Sequence, residues 1–259
     1  MLTLHPLPVF TDNYIWCLHD NQTAYVVDPG QADSVLDYLK DRSLDLKGIL
    51  ITHHHWDHVS GIAPLVAAYP GIPVWGPATE TIPGCTQPLS GGDTIELAWG
   101  ITFGVIDVPG HTLGHIAYYA KETPKGPLLF SGDTLFSSGC GRLFEGTPEQ
   151  MHDSLQTLAA LPVETTVCCT HEYTTANLKF AQAVEPDNED VAKRIKEVMK
   201  LRDQNLPSLP SSIGLELKVN PFLRADKQSV LRTLQSKCGE RPANVLASFA
   251  TLRQWKDNF

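Results

Sequence analysis

Four times along this chain an apolar run stops at a histidine or an aspartate, and that recurrence constrains the fold more than any other feature. The runs span 48–52 before His53, 104–110 before His111, 128–132 before Asp133 and 166–170 before His171. Short runs rich in Val, Ile, Leu and Phe, bounded by Gly or Pro, read as strands buried in a sheet. Their carboxyl ends are expected to converge on one edge and bring the ionisable residues together.

The first of these ends opens a dense heptapeptide, Thr52-His53-His54-His55-Trp56-Asp57-His58. Buried imidazoles and a carboxylate in such number carry a steep desolvation penalty, which divalent cations convert into coordinate bonds. An extended backbone points His53 and His55 to one side. Asp57 and His58 follow after a bend and are within reach of a second ion. With His111, Asp133 and His171 the candidates outnumber the roughly three or four protein ligands that one centre takes. Two metals and a bridging carboxylate account for the surplus.

Helical periodicity covers 33–42, 62–69 and 148–161, where Thr147-Pro148-Glu149-Gln150 supplies an N-cap and a first-turn Pro. Strands are expected at 2–6, 14–18 and 24–28, and Pro29-Gly30 forces a turn. Mixed strands and helices indicate a layered α/β domain over residues 1–174. Beyond it, helices are expected at 177–184, 188–205, 226–236 and 244–256, around a non-helical connector at 220–224. Residues 175–259 are therefore read as a C-terminal helical lobe.

A formal net charge of −9 argues against nucleic acid as a partner, because phosphate binding needs a broad basic face. Two bound divalent metals would bring it to −9 + 4 = −5, so part of the acidity can serve to hold cations. The N-terminus lacks the basic stretch and apolar core of a signal peptide, and no run approaches membrane-spanning length. The six scattered cysteines suit reduced thiols better than a disulfide framework. A cytoplasmic monomer with no membrane contact is expected.

The Thr-His-x-His-x-Asp-His segment at 52–58, with His111, Asp133 and His171, resembles the metallo-β-lactamase superfamily. Within it, the segments 139–147, 170–174 and 220–224 closely resemble the glyoxalase II (hydroxyacylglutathione hydrolase) family, and the resemblance covers essentially the whole chain. It implies a four-layer αββα sandwich. It also implies one metal on His53, His55 and His111, another on Asp57, His58 and His171, and Asp133 bridging them. The implied cofactors are two divalent ions, zinc first and iron or manganese as alternatives, since all seven donors are nitrogen or oxygen. The implied reaction is hydrolysis of S-D-lactoylglutathione and related 2-hydroxyacyl thioesters to glutathione and the hydroxy acid, the second step of methylglyoxal detoxification. Water shared by the ions is the implied nucleophile, oriented by Asp57. Arg253 and Lys256 match the family's Arg-x-x-Lys pair for the glutathione carboxylate, and Arg142 and Tyr173 match further contact positions. Where some members carry Lys and Tyr, this chain has Arg142 and Phe144.

Other residues have plainer readings. His54 falls on the opposite face from the ligands, and His115 is expected to orient rather than ligate. Asp28 suits a turn as well as a contact to the site. His5, His19 and His152 read as surface residues, Cys168 and Cys169 as packing. An iron persulfide dioxygenase is the alternative in another class; one iron on two His and a carboxylate would leave most of the seven donors unused.

Overall fold

The computed structural model describes Leu2–Phe259, and the chain divides into two compact units. One holds the chain up to Asp107 with Gly114–Gly132 and Cys168–His171; the other holds Val108–Leu113, Asp133–Val167 and Glu172–Phe259.

The first unit opens with a six-stranded sheet in chain order: β1 (Thr3–Val9), β2 (Asn13–His19), β3 (Thr23–Val27), β4 (Asp45–Leu50), β5 (Val74–Pro77) and β6 (Gln87–Leu89). β1 to β3 form an antiparallel meander, and β4 to β6 continue parallel to β3. Parallel neighbours need crossovers. These are α1 (Asp33–Arg42) between β3 and β4, then α2 (Trp56–Val59) and α3 (Ile62–Ala68) between β4 and β5. Val35, Leu39, Ile62 and Leu65 of the crossovers pack in one core with Ile15, Val26 and Ile49 of the strands. Each such side chain contributes roughly 1.5–3 kcal/mol on full burial.

A second sheet of the same unit runs antiparallel through β7 (Thr94–Leu97), β8 (Ile101–Asp107), β9 (Ile116–Ala120) and β10 (Leu128–Gly132), with Cys168 and Cys169 on the strand beyond β10. Polar links join the two sheets at one end. The Tyr118 hydroxyl donates to the Ile51 carbonyl at 2.8 Å, Trp16 Nε1 to Cys169 O at 2.9 Å, and the Ile116 amide to Thr52 O at 2.9 Å. Helices, sheet and sheet are thus stacked as layers, which bears out the α/β class.

The second unit contains a small hairpin, β11 (Leu135–Phe136) with β12 (Gly139–Cys140). Thr166 and Val167 of β13 (Thr166–Cys169) pair antiparallel with β14 (Ser211–Ser212). The rest is helical: α4 (Pro148–Ala159), α5 (Thr174–Val184), α6 (Glu189–Asp203), α7 (Ile213–Val219), α8 (Gln228–Cys238) and α9 (Val245–Asp257). α4 starts on the expected Thr147–Gln150 capping box, and Asn188 and Asn244 cap α6 and α9. Leu178, Ala181, Val191, Val198 and Val219 form a core among α5, α6 and α7.

Three expectations need correction. The run at 104–110 is not a strand to its end: β8 stops at Asp107, Pro109 has no amide to extend a ladder, and His111 therefore sits in a loop. β5, β6, β7, β9 and α7 were not foreseen, being short or interrupted by Pro and Gly. His19 is buried, not superficial, with Nε2 on the Tyr38 hydroxyl at 2.9 Å.

No helix among the described residues is long and apolar enough to cross a membrane.

Candidate metal centre

In the first unit the chain leaves β4, stays extended through His53 and His55, and bends at His55 into the single turn of α2 that carries Asp57 and His58. His171 arrives from Thr170, whose carbonyl accepts the Tyr14 amide at 2.6 Å, and pairs with Asn13 in an isolated bridge. Asp57, His58 and His171 consequently present ligand atoms within 4.8 Å of one another.

The ring nitrogens of this trio are divided in a way that fits a cation. His171 Nδ1 is 2.8 Å from Asp12 Oδ1, and His58 Nδ1 is 3.1 Å from Asp28 Oδ2. A carboxylate can only accept, so His171 Nδ1 carries the proton and its Nε2 is left with its lone pair, and His58 turns its own Nε2 the same way. Both face Asp57 Oδ2, at 3.5 Å from His171 and 3.6 Å from His58. Such separations are long for hydrogen bonds. They match the edge of a tetrahedron around a metal with ligands at about 2.0–2.1 Å, which is roughly 3.3 Å. Asn13 Nδ2 donates to the same Asp57 oxygen at 2.9 Å and fixes its rotamer.

His53 and His55 bring Nε2 and Nδ1 to 3.1 Å of each other, again close to a coordination edge, and His53 Nδ1 meets the Thr52 hydroxyl at 3.1 Å. His115 is fully buried and stacks on His53, with ring centroids 4.7 Å apart. His54 points elsewhere: its amide and Nδ1 both meet Glu80 Oε2, at 2.6 and 2.9 Å. Glu80 also accepts the Gly114 amide at 3.1 Å.

Asp28 serves both roles open to it in the sequence. It adopts φ 53°, and its carboxylate accepts the Thr52 amide and hydroxyl, each at 2.8 Å, besides facing His58.

The second unit repeats the division of nitrogens. His111 Nδ1 donates to the Arg142 carbonyl at 2.8 Å, which leaves Nε2 3.5 Å from Asp133 Oδ2. The hairpin β11–β12 arranges this, because it returns the chain beside Asp133 and the Gly141 amide bonds to Thr134 O at 3.1 Å. A Cβ at Gly141 would lie 1.9 Å from Asp133 O, so only glycine allows the approach.

The expected substrate contacts also belong to the second unit. Arg253 is 6% exposed: Nη1 donates to Cys140 O at 3.0 Å, and Nη2 to Asp257 Oδ1 at 2.9 Å. Arg142 is exposed and reaches the same Asp257 oxygen at 3.4 Å. Lys256 Nζ lies 5.5 Å over the Phe180 ring; burial, then the Arg253 charge, push its pKa down. Burial pushes the Cys140 thiol up, against the opposing Arg253 charge. Tyr173 caps α5 and sets its ring edge-on to Phe136. Asp12, Asn13, Glu80 and Asp257 were missed from sequence; Asp12 and Asn13 look there like ordinary turn residues between two strands.

The metallo-beta-lactamase superfamily model matches residues 10–171, and the model described as the hydroxyacylglutathione hydrolase C-terminus matches residues 172–259. The chain is 53% identical over 262 residues to a hydroxyacylglutathione hydrolase of Pseudomonas savastanoi pv. phaseolicola, covering 100% of both chains. It is 53% identical over 258 residues to that of Albidiferax ferrireducens, again covering 100% of both. Among solved structures, ETHE1 from Myxococcus xanthus is 22% identical, with TM-score 0.64 and full coverage of both chains, a likeness of fold. TTHA1623 in a di-iron-bound form is 26% identical, with TM-score 0.57 over 85% of this chain and 100% of that one.

Proposed function

The chain belongs to the metallo-β-lactamase superfamily and, within it, to the hydroxyacylglutathione hydrolases, and from that premise we propose that it hydrolyses S-D-lactoylglutathione and related 2-hydroxyacylglutathiones to glutathione and the free hydroxy acid. It is a metal-dependent hydrolase, and its histidine and aspartate groups suit two divalent ions. The observation that carries this most directly is Asp57 Oδ2 facing the Nε2 atoms of His58 and His171 while Asp28 and Asp12 hold their other nitrogens.

From the family's ligand pattern, His53, His55 and His111 would hold one ion and Asp57, His58 and His171 the other, with Asp133 available to both. When bound, the ions lower the pKa of water and polarise the thioester carbonyl. Asp57, held by Asn13, accepts a hydrogen bond from the attacking water and aims it. The water oxygen adds to the carbonyl carbon as its protons pass to solvent, and the C–S bond breaks as the tetrahedral adduct collapses to carboxylate and thiolate. A thiol of pKa about 8.5 leaves without a dedicated general acid. Zinc is the proposed metal. The di-iron form of TTHA1623 keeps iron as the alternative.

Residues 1–174 act as the hydrolytic part and 175–259 as the glutathione-binding part. Arg253 and Lys256 meet the substrate's glycine end, and Arg142 and Tyr173 make further glutathione contacts; in a chain of net charge −9 the three cations supply the local attraction an anionic substrate needs. No disulfide joins the six cysteines, which fits a reducing cytoplasm. The proposed working state is a monomer, which elution volume tests. Thiol release from S-D-lactoylglutathione by purified protein, lost to a chelator and regained with Zn²⁺, tests the activity. Absence of thiol release from fully metallated protein would refute it.

A further inference from the structure

Glu216 has no part in the chemistry above, yet it is fully buried in the second unit. A carboxylate so placed is costly unless several donors compensate it. It accepts the Ser138 amide at 2.6 Å, the Asn220 side-chain amide at 3.1 Å and the Ser211 hydroxyl. Burial pushes its pKa up, and Ser211, Ser138 and Asn220 oppose that rise.

What these bonds grip is the tip of the β11–β12 hairpin. Ser138 stands at φ 58°, a left-handed conformation that a non-glycine residue adopts at a cost. Asn220 Nδ2 also donates to Phe136 O at 3.2 Å and Gly139 O at 2.8 Å, and Asn177 Nδ2 to Ser137 O at 3.1 Å. The hairpin base carries the Asp133 and His111 contacts: Asp133 precedes β11, and Arg142, whose carbonyl takes the His111 proton, follows β12. A socket at the tip therefore fixes the spacing of two candidate ligands at the base.

We propose that Glu216 is a positioning residue for the His111–Asp133 half of the metal centre: by holding the Ser138 amide it locks the strained hairpin turn and thereby the geometry at its base. The inference rests on His111 and Asp133 being ligands. Its failure is distinguishable from failure of that assignment, because wild-type metal content tests the ligands and the following variants test Glu216.

In Glu216→Ala the one oxygen that accepts both the Ser138 amide and the Asn220 side-chain amide is removed. Expected for the full-length metallated protein are metal release to a chelator about tenfold faster and kcat about tenfold lower with KM nearly unchanged, the lower range for an outer-shell partner. Ser138→Gly, which adopts the turn without strain, is expected to leave the wild-type behaviour intact and to restore most of both losses in the double variant. A role in packing alone would lower Tm without moving metal release, and glycine would not rescue it. Either result overturns the proposal. In the wild-type protein, metal removal should accelerate hydrogen exchange at the Ser138 amide; unchanged exchange there would also overturn it, whether or not Glu216→Ala folds.

Discussion

His171 Nδ1 meets Asp12 Oδ1 at 2.8 Å across 159 residues of sequence. The contact assigns the ring proton to Nδ1 and turns the Nε2 lone pair toward Asp57, 3.5 Å away. Asp12→Ala frees the ring to rotate and change tautomer, and is expected to weaken retention of the ion beside His171 by about tenfold. Metal per chain after dialysis against graded chelator checks this; retention equal to wild type would count against an orienting role for Asp12.

Gly30 makes a backbone prediction about the same trio. A Cβ there would lie 1.9 Å from the Asp57 carbonyl oxygen and 2.8 Å from the Phe10 ring. The backbone of α2 would have to move, taking Asp57 and His58 with it. Gly30→Ala is expected to cost about 1–3 kcal/mol and to lose metal, although no ligand is altered. Gly71→Ala is the control: φ is 86° with nothing within 4 Å, so strain of about 1 kcal/mol should lower Tm while metal content stays. Equal metal content in both variants would contradict the clash.

Arg253 and Lys256 should separate in their effects. Lys256→Ala removes a partly buried cation and is expected to raise KM about five- to tenfold with kcat little changed. Arg253→Ala adds a stability loss of about 1–3 kcal/mol, because the buried Cys140 carbonyl loses its donor. Denaturant midpoints beside initial-rate kinetics read both; matching midpoints in the two variants would contradict the difference.

Glu185 sets an acid limit. Burial pushes its carboxyl up, but the Arg224 guanidinium at 2.6 and 3.0 Å and the Ser229 hydroxyl overcome that and leave it below the usual glutamate range. A depressed folded-state pKa gives stability that is present above the unfolded value of about 4.3 and is lost as pH falls through the folded value. Wild-type Tm should fall as pH drops from about 4.3 through the folded value, and Glu185→Gln should lower Tm at pH 7 and flatten that acid limb. Parallel Tm curves for the two proteins would contradict the linkage.

Much of the centre was legible because ligand chemistry is local in sequence. The heptapeptide combines strand periodicity, a bend and four donors, Asp133 directly follows β10, and His171 lies two residues past the end of β13. The carboxylates that meet these histidines were less legible: Asp12 beside His171 and Glu80 beside the non-ligand His54 are set by tertiary approach and look alone like turn or surface residues, whereas Asp28 could be read as a turn or as a contact to the site. His111 was found by type but misplaced, since the apolar run before it hides the break that Pro109 imposes. Strands such as β6, with three residues and a central Pro, carry too little pattern to be read. The burial of Arg253 was unreadable too, because its helix face shows a cation and not the carbonyls it meets.

The central claim is that two divalent ions on this donor set carry the hydrolysis. Metal analysis paired with a thioester assay on one preparation tests it most directly. Two ions per chain, thiol release from S-D-lactoylglutathione that falls in step with chelation, and recovery on adding Zn²⁺ are the expected result. Undiminished hydrolysis by protein stripped of metal would contradict it.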